Sequence, residues 1–170
     1  MLKNQKIERH TIAVLVDNEA GVLARVVGLF SGRGYNIESL TVAEIDPALH
    51  TSRITVVTSG TPEVLEQIRA QIARIVPVHR VIDWTLDKPG VEREMALIKV
   101  AGTGEKRVEA LRIADSFRAR PVDTTHTSFV FEITGSPNKL DSFVDLMRPL
   151  GLVEVSRTGV AAISRGPDAM

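Results

Sequence analysis

Between Asp17 and Leu40 the chain has to end one strand, form a helix and start another strand, with almost no spare residues between them. The run Asn18-Glu19-Ala20-Gly21-Val22-Leu23-Ala24-Arg25-Val26-Val27-Gly28-Leu29-Phe30 leads into Arg33-Gly34-Tyr35-Asn36-Ile37-Glu38-Ser39-Leu40. Val22, Leu23, Val26, Val27 and Phe30 recur at helical spacing and predict one buried face. His10 to Val16 reads as the preceding strand, and Ile37 to Ile45 as the following one. The alternation slips between Ser39 and Val42, where a bulge is expected. Gly32 and Gly34 are placed to end the helix in left-handed geometry. Gly28 inside the helix predicts close packing, because glycine there costs about 1 kcal/mol relative to alanine.

The same punctuation continues downstream. Arg53 to Thr58 alternates as a strand. Thr61-Pro62 is a capping hydroxyl followed by proline in the first turn of a helix. Leu65, Ile68, Ile72 and Ile75 give that helix its apolar stripe, and Val78 to Trp84 closes the unit as a fourth strand. The order is βαββαβ, an α+β arrangement with helices on one side of an antiparallel sheet. Asp87-Lys88-Pro89-Gly90 reads as a connection, after which the order repeats. Glu94 to Val100 is a strand. Glu105 to Ala119 is a helix with Val108, Leu111, Ala114 and Phe117 as its stripe. Pro121 to Thr125 and Ser128 to Thr134 are strands. Ser136-Pro137 caps a helix lined by Leu140, Phe143, Val144 and Met147. Leu152 to Ser156 is a strand, Gly159 to Ile163 adds one more, and Arg165 to Met170 reads as a loose tail. Two domains are therefore expected, at residues 8–86 and 91–165. Domains of about 80 residues bury a modest fraction of their surface. A two-layer unit also leaves one sheet face uncovered, which Ile37, Ile54 and Val56 would line for an oligomeric partner.

Composition narrows the function. The 170 residues carry 21 basic and 21 acidic side chains, so the global basic excess typical of nucleic-acid binders is missing. There is no cysteine, which excludes disulfides, thiolate metal sites and cysteine nucleophiles. The polar start Met1–His10 lacks the apolar core of a signal peptide, and no apolar run approaches the roughly 20 residues of a membrane span. A cytoplasmic protein is expected, with neither nucleic acid nor membrane as a partner. The four histidines, His10, His50, His79 and His126, show no metal-ligand spacing, and Asp115, Asp123, Glu132, Asp141 and Asp145 show no catalytic pairing. Gly102-Thr103-Gly104-Glu105-Lys106 lacks the full glycine pattern of a phosphate loop and reads as a strand–helix turn. No catalytic residue, intrinsic cofactor or metal site is expected.

The turn before the first helix is the candidate binding feature. A helix N-terminus presents backbone N–H groups without intrahelical partners, and Gly21 has no side chain to shield them. Asn18 adds a donor and an acceptor, and Asn36 could add another pair. A small amino acid needs this mixture of donors and acceptors. The residues alone leave a plainer account open: Asn18 as a cap, Gly21 as packing relief and Asn36 as a turn residue.

The stretch from Asn18 to Leu40 strongly resembles the regulatory small subunit of acetolactate synthase (acetohydroxyacid synthase). Further segments carry the resemblance along nearly the whole chain. They include Leu65-Glu66-Gln67-Ile68, Val81-Ile82-Asp83, Glu92-Arg93-Glu94, Ala96-Leu97-Ile98-Lys99-Val100, Lys139-Leu140-Asp141, Arg157-Thr158-Gly159-Val160-Ala161 and Ser164-Arg165-Gly166. The resemblance implies an N-terminal ACT domain, a second ferredoxin-like domain, and a homodimer formed through the ACT domains. It implies valine or another branched-chain amino acid bound between those domains, with Asn18, Ala20, Gly21 and Val22 on one chain and Gly34, Tyr35, Asn36 and Ile37 on the other. Ala20 stands where some members carry proline or serine, a mild departure. Glu44 to Arg53 matches less well. The implied partner is a large catalytic subunit carrying thiamine diphosphate, magnesium and often FAD. Arg25, Arg33 and Glu38 are the expected contacts to it. A stand-alone amino-acid sensor acting on another enzyme or on transcription remains the alternative.

Overall fold

The computed structural model describes residues 6–87 and 90–170. They form two compact units. The described residues up to Val91 make the first unit together with Val160–Met170, and Glu92–Gly159 make the second. Lys88 and Pro89 of the expected connection lie outside the described residues.

The first unit runs β1 (Glu8–Asp17), α1 (Val22–Arg33), β2 (Ser39–Asp46), β3 (Thr51–Gly60), α2 (Pro62–Ile72) and β4 (Val78–Asp83). Its strands pair antiparallel in the order β2-β3-β1-β4. Ile12, Val14 and Val16 of β1 and Ile54 and Val56 of β3 face the helices. They pack with Val22, Val26, Phe30, Ile68 and Ile72 in one core. Each such side chain stabilises the fold by about 1.5–3 kcal/mol relative to exposure. Thr61 caps α2 as expected, its Oγ1 accepting the Val64 N–H at 3.4 Å.

Several local expectations change. Ile54 and Val56 line the helix side of the sheet, not an uncovered face, because strand alternation sends them inward with Ile12 and Val14. Ile37 precedes β2 and packs at the edge of the same core. The irregularity in β2 falls between Glu44 and Asp46, not between Ser39 and Val42. Gly28 is exposed, and a Cβ there would meet nothing within 4 Å, so close packing is not its reason.

The second unit repeats the plan with β5 (Gly90–Ala101), α3 (Gly104–Ser116), β6 (Arg120–Thr124), β7 (Ser128–Gly135), α4 (Pro137–Met147) and β8 (Leu152–Arg157). Strand order is β6-β7-β5-β8. Ala96, Ile98, Val100, Phe129, Phe131 and Ile133 meet α3 and α4 in a separate core. Ser136 caps α4 by accepting the Lys139 N–H at 3.4 Å. The buried face of α3 is made by Ala110 and Ala114 with Ile113 and Phe117 at its margin. Val108 and Leu111 are exposed. The buried face is made of small side chains, which a count of large apolar residues overlooks.

After Gly159 the chain joins the first unit. Residues 160–165 read from sequence as part of the second domain. In their contacts, Val160 and Ala162 bond side chains of β2 and β3, and the short β9 (Ala161–Ser164) pairs with β5, whose first residues Gly90 and Val91 group with the first unit. Ala162 and Met170 pack with Ala13, Ile82 and Trp84, so the expected loose tail ends in contact with a small cluster.

Candidate functional site

Gly21 sits at the N-cap of α1 with φ 87°, a left-handed conformation that favours glycine. No side chain caps the helix, and a Cβ at Gly21 would meet nothing within 4 Å. The turn is therefore open toward solvent at the positive end of a helix. Asn18 stands beside it at the end of β1. Its backbone N–H donates to the His50 carbonyl at 2.6 Å, and its Nδ2 donates to Glu44 Oε1 at 3.1 Å. Ala20 is exposed within the turn. Val22 points into the core and is 2 % exposed, so its backbone is what the turn can offer. That N–H lies 3.4 Å from the Glu19 carbonyl.

The other half of the candidate set lies at the opposite end of α1. Gly34 closes the helix with φ 68°, and its N–H donates to the Ser31 carbonyl. The Tyr35 N–H donates to Phe30 O at 2.9 Å, and its ring stands edge-on to Phe30. Tyr35 Oη donates to Gln67 Oε1 at 3.4 Å. The Asn36 carbonyl accepts from Thr58 Oγ1 at 2.6 Å, while the residue remains exposed in the loop before β2. A helix of this length spans about 18 Å. Within one chain, Asn18 and Asn36 are not brought together around one small ligand.

Arg25, Arg33 and Glu38 are also spread out. Arg25 Nη1 donates to the Val76 carbonyl at 2.6 Å in the region of the uncapped end of α1. Arg33 is in the last turn of the helix and exposed. Glu38 accepts from Arg9 Nε at 3.0 Å and from Ser59 Oγ. Two of the three are thus already engaged within the chain.

Sequence reasoning missed what surrounds the turn. Glu44 and His50, both in the poorly matching stretch, are what hold Asn18. His79, which had no assigned role, lies 2.5 Å from Asp17 beside the same turn. His10 and Asp83 form a buried pair at 2.6 Å that joins β1 to β4. Only the polar identity of these residues was visible beforehand, since each pairing spans strands far apart in sequence. Among the described residues, no group of three or more His, Asp or Glu side chains is arranged to hold a metal.

An open glycine turn on a helix, set in one of two tandem ferredoxin-like units, defines an ACT-type domain followed by a second α+β domain. The AHAS small subunit-like ACT domain model matches residues 12–80, and the model for the small subunit of acetolactate synthase matches residues 93–166. The chain is 46 % identical over 158 residues to the probable acetolactate synthase small subunit of Archaeoglobus fulgidus, covering 93 % of this chain and 98 % of that one. It is 44 % identical over 164 residues to the acetolactate synthase isozyme 3 small subunit of Escherichia coli, covering 95 % and 99 %. The crystal structure of the acetolactate synthase small subunit from Thermotoga maritima superposes with a TM-score of 0.81 at 34 % identity, over 95 % of this chain and 99 % of that one. The chain belongs to the acetolactate synthase small-subunit family.

Proposed function

We propose that the chain is the non-catalytic regulatory subunit of an acetolactate synthase in branched-chain amino-acid biosynthesis. In this reading it raises turnover by a large subunit that carries thiamine diphosphate, magnesium and often FAD, and it makes that turnover sensitive to valine or a related amino acid. A cytoplasmic location goes with the reading.

The observation that carries it is the open Gly21 turn beside Asn18, in a chain whose matching half-site is an α1 length away. A copy of the chain resolves the separation. β2 is an edge strand, and Val42, Ile45 and Leu49 expose apolar surface on it and on the turn after it. Two such edges related by a twofold axis pair antiparallel. The start of one β2, which follows Asn36 and Ile37, then lies beside the end of the other, where Glu44 holds Asn18. The ammonium of a bound amino acid meets side-chain amide oxygens, and its carboxylate meets the N–H groups of the α1 turn. Arg25, Arg33 and Glu38 are the proposed large-subunit contacts.

Regulation requires that the large subunit and valine each favour different arrangements of this subunit. A coupling of about 1–3 kcal/mol gives roughly 5–150-fold changes in affinity. The test measures acetolactate formation by the cognate large subunit alone, with this protein, and with this protein plus valine. Stimulation followed by inhibition is the expected result. Absence of both complex formation and stimulation would overturn the reading and favour a stand-alone sensor.

A further inference from the structure

We propose that the returning segment Val160–Ala162 is a strap that positions β2, and through it the Asn36 half of the effector site. The proposal rests on the functional reading above, which supplies the site.

Within one chain β2 has a backbone ladder on one side only, to β3, and the dimer proposed above adds the partner's β2 on its other edge. Neither ladder acts on the outward face of the strand, where the strap lies. Ser39 and Thr41 lie two positions apart on β2 and so point to the same face. Both reach Val160: Ser39 Oγ accepts its N–H at 2.9 Å, and Thr41 Oγ1 donates to its carbonyl at 2.9 Å. The two side chains thereby satisfy both backbone polar groups of one strap residue. On the neighbouring strand, Arg53 Nη1 donates to the Ala162 carbonyl at 3.3 Å. Arg53 pairs with Ala43, so these contacts cross from β2 to β3 on one face. The strap itself is fixed: Val160 is 1 % exposed, and Ala162 is packed with Ala13, Ile82 and Trp84.

Ser39 follows Asn36 by three residues, and the stretch between them is also tied by the Asn36 carbonyl to Thr58 and by the Glu38 N–H to the Val57 carbonyl at 2.8 Å. Loosening the strap leaves those bonds alone to hold the start of β2, where Asn36 and Ile37 must be held for a ligand shared between chains. Ser39 and Thr41 act on the effector only through β2 and are positioning residues.

The test uses the full-length chain and the double variant Ser39→Ala, Thr41→Val, with Thr41→Ser as the conservative control. Amide hydrogen exchange reads β2, calorimetry reads valine binding, and light scattering reads oligomeric state. The expected result is faster exchange across Ser39–Glu44, about tenfold weaker valine binding in the double variant, and near wild-type values for Thr41→Ser. Unchanged exchange in β2 overturns the strap. Faster exchange with unchanged valine affinity overturns the positioning role. Wild-type protein that takes up no valine or other branched-chain amino acid overturns the functional reading instead, and the exchange data then judge the strap alone.

Discussion

The two units share one chain order and one sheet order, yet they treat the side of the sheet away from the helices differently. In the first unit that side carries Ala13, Thr55 and Val57, all at most 2 % exposed, and the returning Ala162 packs against Ala13. In the second it carries Leu97, which is exposed, and ion pairs between Lys99 and Glu154 at 2.8 Å and between Arg120 and Glu132 at 2.7 Å. β6, at the edge of that sheet, is exposed at every residue. The scaffold therefore does not decide whether a sheet is covered. Small and β-branched residues at the outward positions admit a covering layer, whereas long charged ones keep a face in water. The expectation of one uncovered face per unit fits the second unit and fails in the first, where the missing layer comes from residues at the far end of the chain.

The cores differ as well, and they offer the strongest way to break the comparison. The second unit stacks Phe143 against Phe117 and Phe131, with ring centroids 5.4 and 6.1 Å apart. The first has only Phe30 fully buried among its aromatic rings, with Tyr35 against its edge. Phe143→Ala is expected to cost about 3–5 kcal/mol and Phe30→Ala a similar amount. Hydrogen exchange should show loss of protection confined to the mutated unit in each case. Equal loss across both units would mean that they unfold as one and that the comparison holds only for their contacts.

A smaller effect separates buried from exposed ion pairs. Arg157 forks onto Glu94 at 2.8 and 2.6 Å and also reaches Asp141. The Glu94 side chain is 5 % exposed. Its hydrogen bonds raise the Arg157 pKa above the ordinary arginine range, against the opposing effect of burial and with further help from Asp141. A raised basic group contributes its stability in full below its unfolded pKa. Titrating Arg157 between acid and neutral pH therefore removes nothing, and the contribution is lost only in strong alkali. Arg157→Ala strands the Glu94 carboxylate and should lower stability by about 3 kcal/mol, the low end for a broken buried pair because Arg157 itself is partly exposed. Urea unfolding at neutral pH measures it. Glu154→Gln on the open face should leave the urea midpoint where it was, and an equal loss from the two variants would erase the distinction between the pairs.

Local signals made most of the fold legible. Thr61-Pro62 and Ser136-Pro137 mark helix starts because the cap, the proline and the first turn are adjacent in sequence. The strands around them follow from alternation. The buried face of α3 was not legible, because Val108 and Leu111 satisfy helical spacing as well as Ala110 and Ala114 do, and only the distance to the sheet decides between them. Nor could the contacts of Val160 with β2 be read, since Ser39 and Thr41 are more than a hundred residues away in sequence and bond its backbone N–H and carbonyl. The candidate residues Asn18, Gly21 and Asn36, and their assignment to two chains, come from the sequence and its resemblance and stay a proposal; the structure adds that the length of α1 keeps the two ends apart within one chain.

The smallest expected effect asks whether the first turn is more than a structural necessity, since the second unit also places a left-handed glycine at the start of its first helix, one position further in, after the extended N-cap Thr103. Gly104 opens α3 with φ 59°, and like Gly21 it has empty space where a Cβ would go. Alanine at either position pays for left-handed backbone, about 1–2 kcal/mol, without a clash. Gly21→Ala and Gly104→Ala should therefore lower thermal stability to similar extents. Their effects on the ligand should part: a methyl group at Gly21 enters the open turn beside Asn18 where the effector carboxylate is proposed to bind, while one at Gly104 lies at a helix with no neighbouring counterpart of Asn18. Valine titration of the assembled synthase should show weakened inhibition in Gly21→Ala alone. Equal weakening in both would reduce the Gly21 turn to a folding requirement shared by the two units and would move the effector site elsewhere.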